Sequence, residues 1–304
     1  VTTIKSYRRK LDLAQGRVDL SHGAGGRAMA QLIADVFHAA LDNDWLRRGD
    51  DQSVFDMPGG RMAMTTDAYV VSPLFFPGGD IGSLAVHGTI NDLAMAGAAP
   101  LYLSASFIIE EGFPLADLAK IAQSMAAASR EAHAPVITGD TKVVERGKAD
   151  GVFISTTGVG VVPEGLALSG DRARPGDVVL LSGSIGDHGV AILSKRENLD
   201  FDCEILSDSA ALHGLVAEMI AAAGPSLRLM RDPTRGGLAA TLNEIAQQSG
   251  VGFRIEEAAI PVKPGVAAAC ELLGLDPLNV ANEGKLVAIA APDGAPALLQ
   301  AMRA

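Results

Sequence analysis

The chain has 304 residues, with 36 Asp plus Glu against 25 Lys plus Arg and a formal net charge of −11. That balance argues against a nucleic-acid groove, which needs clustered cations. Apolar residues make up 48% and aromatics only 4%, so a sizeable core is built mainly from Ala, Leu, Val, Ile and Met, in one large domain or two ordinary ones.

Two cysteines, Cys203 and Cys270, lie far apart and form no metal-type pair. This usage fits a reducing cytoplasm and argues against a disulfide framework. No apolar run reaches the roughly 18 residues of a membrane span, and no signal peptide is visible. The basic stretch Lys5 to Lys10 reads as a solvated terminal segment.

Along the chain, Ser21-His22-Gly23-Ala24-Gly25-Gly26 precedes a helical pattern from Arg27 to Leu41. A glycine loop feeding a helix start can hold an anion, or it is simply a capped loop. It lacks the spacing of a P-loop and of a dinucleotide fingerprint. Asp50 and Asp51 are either turn chemistry or ligands for a hard cation. Arg61 to Val71 alternates as a strand and carries Thr65-Thr66-Asp67. Gly88-Thr-Ile-Asn-Asp-Leu-Ala-Met-Ala-Gly97 then places Asn91 and Asp92 in a helix-forming run where neither is a good helix former. One reading makes the pair an N-cap for a helix starting at Leu93. The other puts His87 and Asn91 on one helix stripe and Gly88 and Asp92 on the next, with Gly88 leaving room for another group to approach.

Leu101 to Glu110 alternates as a strand, and a helix runs from Pro114 to about His133. Val136 to Thr138 reads as a short strand ending in a tight loop, Gly139-Asp140-Thr141-Lys142. There Asp140 suits a metal and Lys142 a phosphate, unless the two form an exposed turn ion pair. Val152 to Val162 is a strand whose Gly158 and Gly160 mark bulges or close packing. The polar stretch 163–176 divides the chain into residues 1–165 and 166–304.

The second half opens with a strand at Asp177 to Leu181 and the turn Ser182 to Gly189, followed by a helix through Leu193 and another from Ala210 to Ala223. A short apolar run leads into Arg231-Asp232-Pro233-Thr234-Arg235-Gly236-Gly237. A helix from Leu238, a strand at Val251 to Ile255 and a helix ending near Gly274 come next. Asn282-Glu283-Gly284-Lys285 then precedes a strand at Leu286 to Ala290, and the last helix begins at Ala295.

Acids at strand ends recur at Asp50, Asp51, Asp67, Asp92, Asp140 and Asp232. Converging without a cation, they would repel one another until some took up protons. Magnesium resolves the conflict, because it takes carboxylates, waters and nucleotide phosphate oxygens together. The pattern therefore favours ATP with magnesium over a dinucleotide. His22, His87 and His188 are candidates for proton work, though lone histidines are commonly structural. Glu283, just before a buried strand, is a candidate general base.

Six ordered motifs carry a resemblance over nearly the whole chain: Asp50 to Val54, Thr65 to Asp67, Gly88 to Gly97, Gly139 to Lys142, Asp232 to Gly237 and Asn282 to Gly284. They resemble the PurM-like ATP-binding superfamily. The Ser21 to Gly26, Asp232 to Gly237 and Asn282 to Gly284 motifs look specifically like its HypE family of hydrogenase maturation proteins.

The resemblance implies an α/β (α+β) chain of two PurM-like domains, the first domain's sheet forming a homodimer. It implies ATP-dependent dehydration of a carbamoyl group on a C-terminal cysteine, giving a thiocyanate whose cyano group goes to [NiFe]-hydrogenase iron. HypF would supply the carbamoyl group and the HypC–HypD complex would accept the cyanide. Asp51, Asp67, Asp92 and Asp140 would hold magnesium. Asp50, Asn91, Gly139, His22 and Gly25 would join them around the nucleotide. Lys142, Glu283 and His87 would serve catalysis. The family tail ends in Pro-Arg-Ile-Cys, which these residues do not include, and its expected place is beyond Ala304. A selenophosphate synthetase-like enzyme and a non-catalytic ATP-binding carrier are the alternatives; the first would need a reactive Cys among residues 1 to 50, which hold none.

Overall fold

The structure is a computed structural model that describes residues 11–24, 26–48, 50, 52–199, 201 and 203–303. Its first half begins with α1 (Gly26–Leu32), a π-helical stretch (Ile33–His38), α2 (Ala39–Leu41) and α3 (Asp44–Arg48). The single helix expected from Arg27 to Leu41 is thus interrupted by wider turns, where Val36 and Phe37 both enter the core. There follow β1 (Arg61–Tyr69), the two-residue strands β2 (Phe75–Phe76) and β3 (Gly79–Asp80), α4 (Ile81–Met95), β4 (Ala99–Glu110), α5 (Leu115–Glu131), β5 (Val136–Val144) and β6 (Val152–Val162).

Four strands form one sheet in the order β1-β6-β4-β5, with β4 and β5 parallel and the other pairs antiparallel. Helices α4 and α5 pack together, and Leu118, Ile121 and Met125 of α5 join Leu103, Ala105, Phe107 and Ile109 of β4 in one core. Alternation along β4 has its physical basis here, since every second side chain points at the helices.

Asp80 caps α4: its Oδ1 accepts the Gly82 N–H at 2.7 Å and the Ser83 N–H at 3.2 Å. Asn91 and Asp92 therefore lie inside a helix that starts twelve residues earlier than their N-cap reading required. Tertiary burial overrides their weak propensity, because almost all of α4 is buried.

The loop expected at Gly139 to Lys142 is instead the middle of β5. Parallel pairing with β4 continues through Glu110↔Val144, so those backbone groups have ladder partners. Gly139 permits the approach: a Cβ there would lie 2.4 Å from the Ala105 carbonyl oxygen. Gly158 and Gly160 likewise serve close packing, against Thr89 and the Ala99 carbonyl.

The second half comprises β7 (Val178–Leu181), α6 (Asp187–Arg196), α7 (His213–Ala223), β8 (Leu227–Arg231), α8 (Gly237–Ser249), α9 (Pro264–Leu273), β9 (Val287–Ala290) and α10 (Ala295–Ala301). Its antiparallel sheet has the order β7-β9-β8. Every residue of β9 is buried. Ala288 and Ala290 join the core beneath α7 and α10, while Val287 and Ile289 join the core beneath α8. The strand expected at Val251 to Ile255 does not form. Val251 and Phe253 pack on the α8 core, so their alternation reports burial without ladder pairing.

Candidate active site between the two halves

Sheet register divides the residues singled out in the first half. Asp67 on β1 stands in register with Thr156, which in turn pairs with Ala105, and Ala105 with Gly139. Thr156 is buried under α4, donating from Oγ1 to the Ala85 carbonyl at 3.0 Å, so this row faces the helices. The adjacent row runs Ala68, Ser155, Ser106, Asp140. Successive strand residues point to opposite faces, so Asp140 and Lys142 lie on the face away from α4. Their ion pair, Nζ to Oδ2 at 3.5 Å, is more than half exposed on both sides. Asp50 and Gly139 line a cavity of about 390 Å³ with His38, Ser53 and Thr138 at the β5 edge. Asp51 and Gly25 lie outside the described residues.

The helix-facing acids meet acids from the second half. Thr65 Oγ1 donates to Asp92 Oδ2 at 2.7 Å. Beside them a cleft of about 410 Å³ is lined by Thr65, Asp92, Arg231, Asp232 and Thr234. Burial, with added repulsion from Asp67, raises the proton affinity of Asp92 even against the Thr65 hydrogen bond. Burial and then Asp92 push Asp232 up to about 6. Glu283 is pushed to about 8, first by burial and then by Asp232, Asp208, Asp67 and Asp92. These carboxylates crowd one another in a poorly solvated space and hold protons that exposed acids would release.

Two turns create this proximity. Asn282 is fully buried; its Nδ2 donates to the Pro233 and Val280 carbonyls, both at 3.0 Å, and its Oδ1 accepts the Gly186 N–H at 2.7 Å. It thereby ties the Asp232 turn to the Glu283 turn. Gly237 makes the tie possible, with φ +62 and no room for a Cβ beside the Leu278 and Val280 carbonyls.

Asn91 is the matching clip from the first half. Its Nδ2 donates to the carbonyls of Ala210 and Glu283, both at 3.0 Å, and its Oδ1 accepts the Leu212 N–H at 2.8 Å. Both donors and one acceptor site are used, so its side chain serves to position Glu283. Gly88 does leave room beside α4, but the occupant is Tyr69, whose Oη lies 2.4 Å from where a Cβ would stand. Burial and the neighbouring Asp67 push this phenol well above its ordinary value, so it stays neutral. It hydrogen-bonds Thr89 Oγ1 at 3.2 Å.

Each of the three candidate histidines has a partner within the protein. His22 Nδ1 accepts the Asp19 N–H at 3.0 Å in a capping box of its own turn. His87 and Asn91 do share a stripe, and both reach the 209–212 segment: His87 Nδ1 is 3.0 Å from Ser209 Oγ. Burial lowers the proton affinity of His87. His188 pairs with Ser207 Oγ at 2.8 Å and is lowered to about 4, again by burial. Neither is placed to ionise in support of chemistry at neutral pH.

Among the described residues no three Asp, Glu, His or Cys side chains stand close enough to hold a metal by themselves. Magnesium does not need three, since one or two carboxylates plus phosphate oxygens and waters suffice. Asp67 and Asp92, whose repulsion a cation would relieve, fit that requirement. Sequence reasoning missed Tyr69, Asp208 and Lys285. The spacing of Gly88 could have pointed to a close neighbour, but Asp208 sits in Ser207-Asp208-Ser209, a polar stretch with no periodicity, and gave no signal.

Residues 49–162 match the family model for the N-terminal domain of AIR synthase related proteins, and residues 174–304 match that for the C-terminal domain. The chain is 77% identical over 301 residues to the carbamoyl dehydratase HypE of Rhizobium leguminosarum bv. viciae, covering 99% of this chain and 86% of that protein. It is 47% identical over 290 residues to the carbamoyl dehydratase HypE of Escherichia coli K12, covering 94% and 86%. Among solved structures, the hydrogenase maturation protein HypE in complex with ATP superposes with a TM-score of 0.91 at 51% identity, covering 94% of this chain and 84% of that one. The HypE in a HypE–HypF complex gives 0.79 at 51% identity, covering 90% and 88%. At these identities and coverages the chain belongs to the HypE family of carbamoyl dehydratases, within the AIR synthase related proteins.

Proposed function

We propose that the protein binds ATP with magnesium in the cleft beside Asp67 and Asp92 and dehydrates a carbamoyl group carried on the C-terminal cysteine of the family's tail. The observation that carries this reading is the buried Glu283 carboxyl, held among Asp92, Asp232 and Asp208 with its proton affinity raised to about 8. A base poised near neutral pH suits removal of protons from an activated amide nitrogen. In the proposed sequence the thiocarboxamide oxygen takes the γ-phosphoryl group of ATP. The ionised form of Glu283, the minor form below about pH 8, then accepts one nitrogen proton, and the departing phosphate carries away the second as the C≡N bond of the thiocyanate forms. Asp67 and Asp92 would hold magnesium, which would neutralise charge on the phosphates. Asp140 and Lys142 lie on the opposite sheet face and the opposite sheet edge from Asp67, so in this proposal they, with Asp50, Asp51, Gly139, His22 and Gly25, would reach the nucleotide of a partner copy across the dimer face, Lys142 offsetting phosphoryl charge. His87 acts through its contact with Ser209 rather than as an acid or base.

The family supports HypF as carbamoyl donor, since a relative of 51% identity was solved as a HypE–HypF complex. The HypC–HypD complex is the proposed acceptor. The open sheet face, with Met64 74% and Ile108 42% exposed, suits a homodimer contact. No described helix is long and apolar enough to cross a membrane, and the proposed location is the cytoplasm. We place the boundary between the domains at residues 165 and 166. The test is direct: a chain ending in the family's Pro-Arg-Ile-Cys, carbamoylated and given ATP with magnesium, gains a thiocyanate, seen by mass spectrometry as loss of water from the modified cysteine. Retention of the intact thiocarboxamide with ATP bound would overturn the dehydratase reading.

A further inference from the structure

Asp208 lies outside every motif that marks the family, yet it is almost completely buried, with 2% of its side chain exposed. A buried carboxylate is costly unless it is paired and hydrogen-bonded. Its Oδ1 accepts the backbone N–H of Glu283 at 3.1 Å. Its Oδ2 has no hydrogen-bond partner among the described residues but faces Lys285 Nζ at 3.2 Å as an ion pair. Lys285, itself 16% exposed, also donates to the Gly284 carbonyl at 3.3 Å. Gly284 is pressed against the same segment: a Cβ there would overlap the Asp208 carbonyl oxygen.

The segment carrying Asp208 is anchored from both halves of the chain. Ser207 N–H donates to the Pro77 carbonyl at 2.8 Å, and its hydroxyl meets His188. The Ser209 hydroxyl meets His87 of α4. Asn91 then grips Ala210 and Leu212. Glu283 is therefore held at both backbone groups, its carbonyl by Asn91 and its amide by Asp208.

We infer that Asp208, braced by Lys285, is a positioning residue for the reaction: it fixes the Glu283 backbone, and with it the place from which the Glu283 carboxyl acts. The inference rests on the reading of Glu283 as base. Its role is geometric, so loss of the amide clasp lowers turnover without changing how ATP is held.

The experiment compares Asp208→Ala, Asp208→Asn, the double variant Asp208→Ala/Lys285→Met and Glu283→Gln in the full chain with its terminal cysteine, by dehydration kinetics and thermal melting. Asp208→Ala lowers kcat by about tenfold to a hundredfold, the range for a small misplacement of a catalytic group, with the KM for ATP changed less than about threefold. The double variant removes both buried charges, restoring folding where the single variant is unstable, but keeps the low kcat. Asp208→Asn retains an oxygen acceptor for the Glu283 amide and regains most of the turnover. Normal kcat in Asp208→Ala or in the double variant, beside an inactive Glu283→Gln, overturns the positioning role alone. Normal kcat in Glu283→Gln overturns the base reading and the positioning role with it.

Discussion

The chain carries two sets of acids that look alike in sequence and differ in everything that decides their chemistry. Asp140 stands on the open face of the first sheet, more than half exposed, with Lys142 beside it. Asp92, Asp232 and Glu283 stand between the two halves, where burial and mutual repulsion raise all three proton affinities. Strand parity separates the sets, since Asp67 faces the helices and Asp140 faces away. The same residue types thus yield a solvated ion pair in one place and a poorly solvated, proton-holding cluster in the other. Water, more than the number of acids, makes the difference.

The largest effect expected on the buried set is at its most perturbed member. Glu283→Gln keeps the shape of the side chain and removes the base, so kcat for dehydration falls by roughly a hundredfold or more, while ATP affinity by calorimetry stays within about threefold. Thiocyanate formation at the normal rate, read by mass spectrometry, would show that the raised proton affinity of Glu283 has no part in the reaction. Next is Asp92→Asn. It removes a charge proposed for magnesium but also the strain of a buried carboxylate. ATP affinity in the presence of magnesium falls about tenfold, equivalent to about 1.4 kcal/mol, and the melting temperature is unchanged or higher. A falling melting temperature with intact ATP affinity would assign Asp92 to folding instead.

Much of this division was legible in the sequence, and its limits have physical causes. The strand around Asp67, the close packing at Gly158 and Gly160 and one of the two readings of the helix through Asp92 follow from periodicity and small residues. Gly139 to Lys142 reads as a turn because of its polar, glycine-led composition. What holds it extended is the partner strand β4, and no local pattern encodes a partner 30 residues away. Asn91 offers the opposite lesson. It is correctly marked as misplaced in a helix, but its side chain is consumed by the backbone of Ala210, Leu212 and Glu283. Contacts over such separations are invisible before folding, and so was Asp208, whose partner lies 75 residues on.

The comparison sharpens further with pH. Folded Glu283 holds its proton to about pH 8 against an ordinary value of 4.5, and Asp232 to about 6 against 3.8. At these two groups the folded state binds more protons than the unfolded state, while at His188 and His87, lowered from 6.5, it binds fewer below about pH 6.5, so the net fall of stability with rising pH is expected above about 6.5. The contribution of the two carboxyls is complete below about pH 4 and gone above about 8, with a slope of at most about 1.4 kcal/mol per pH unit for each proton. Urea midpoints of the ligand-free protein therefore decline from pH 6.5 to pH 8. Glu283→Gln flattens that decline. An unchanged slope in that variant would mean that water reaches Glu283 freely.

The smallest effect is expected on the exposed set, and it is informative because it is small. Lys142 and Asp140 are 64% and 56% exposed and 3.5 Å apart. An ion pair so open gains little over two hydrated ions, so Lys142→Ala changes stability by less than about 0.5 kcal/mol. Its proposed work is on a phosphoryl group, so dehydration stops in the same variant. Urea denaturation and thiocyanate formation measured together check both halves of the statement. A stability loss of several times that size would mean that the open sheet face is covered in solution and that the pair is buried there, since only desolvation turns an exposed lysine into a structural one.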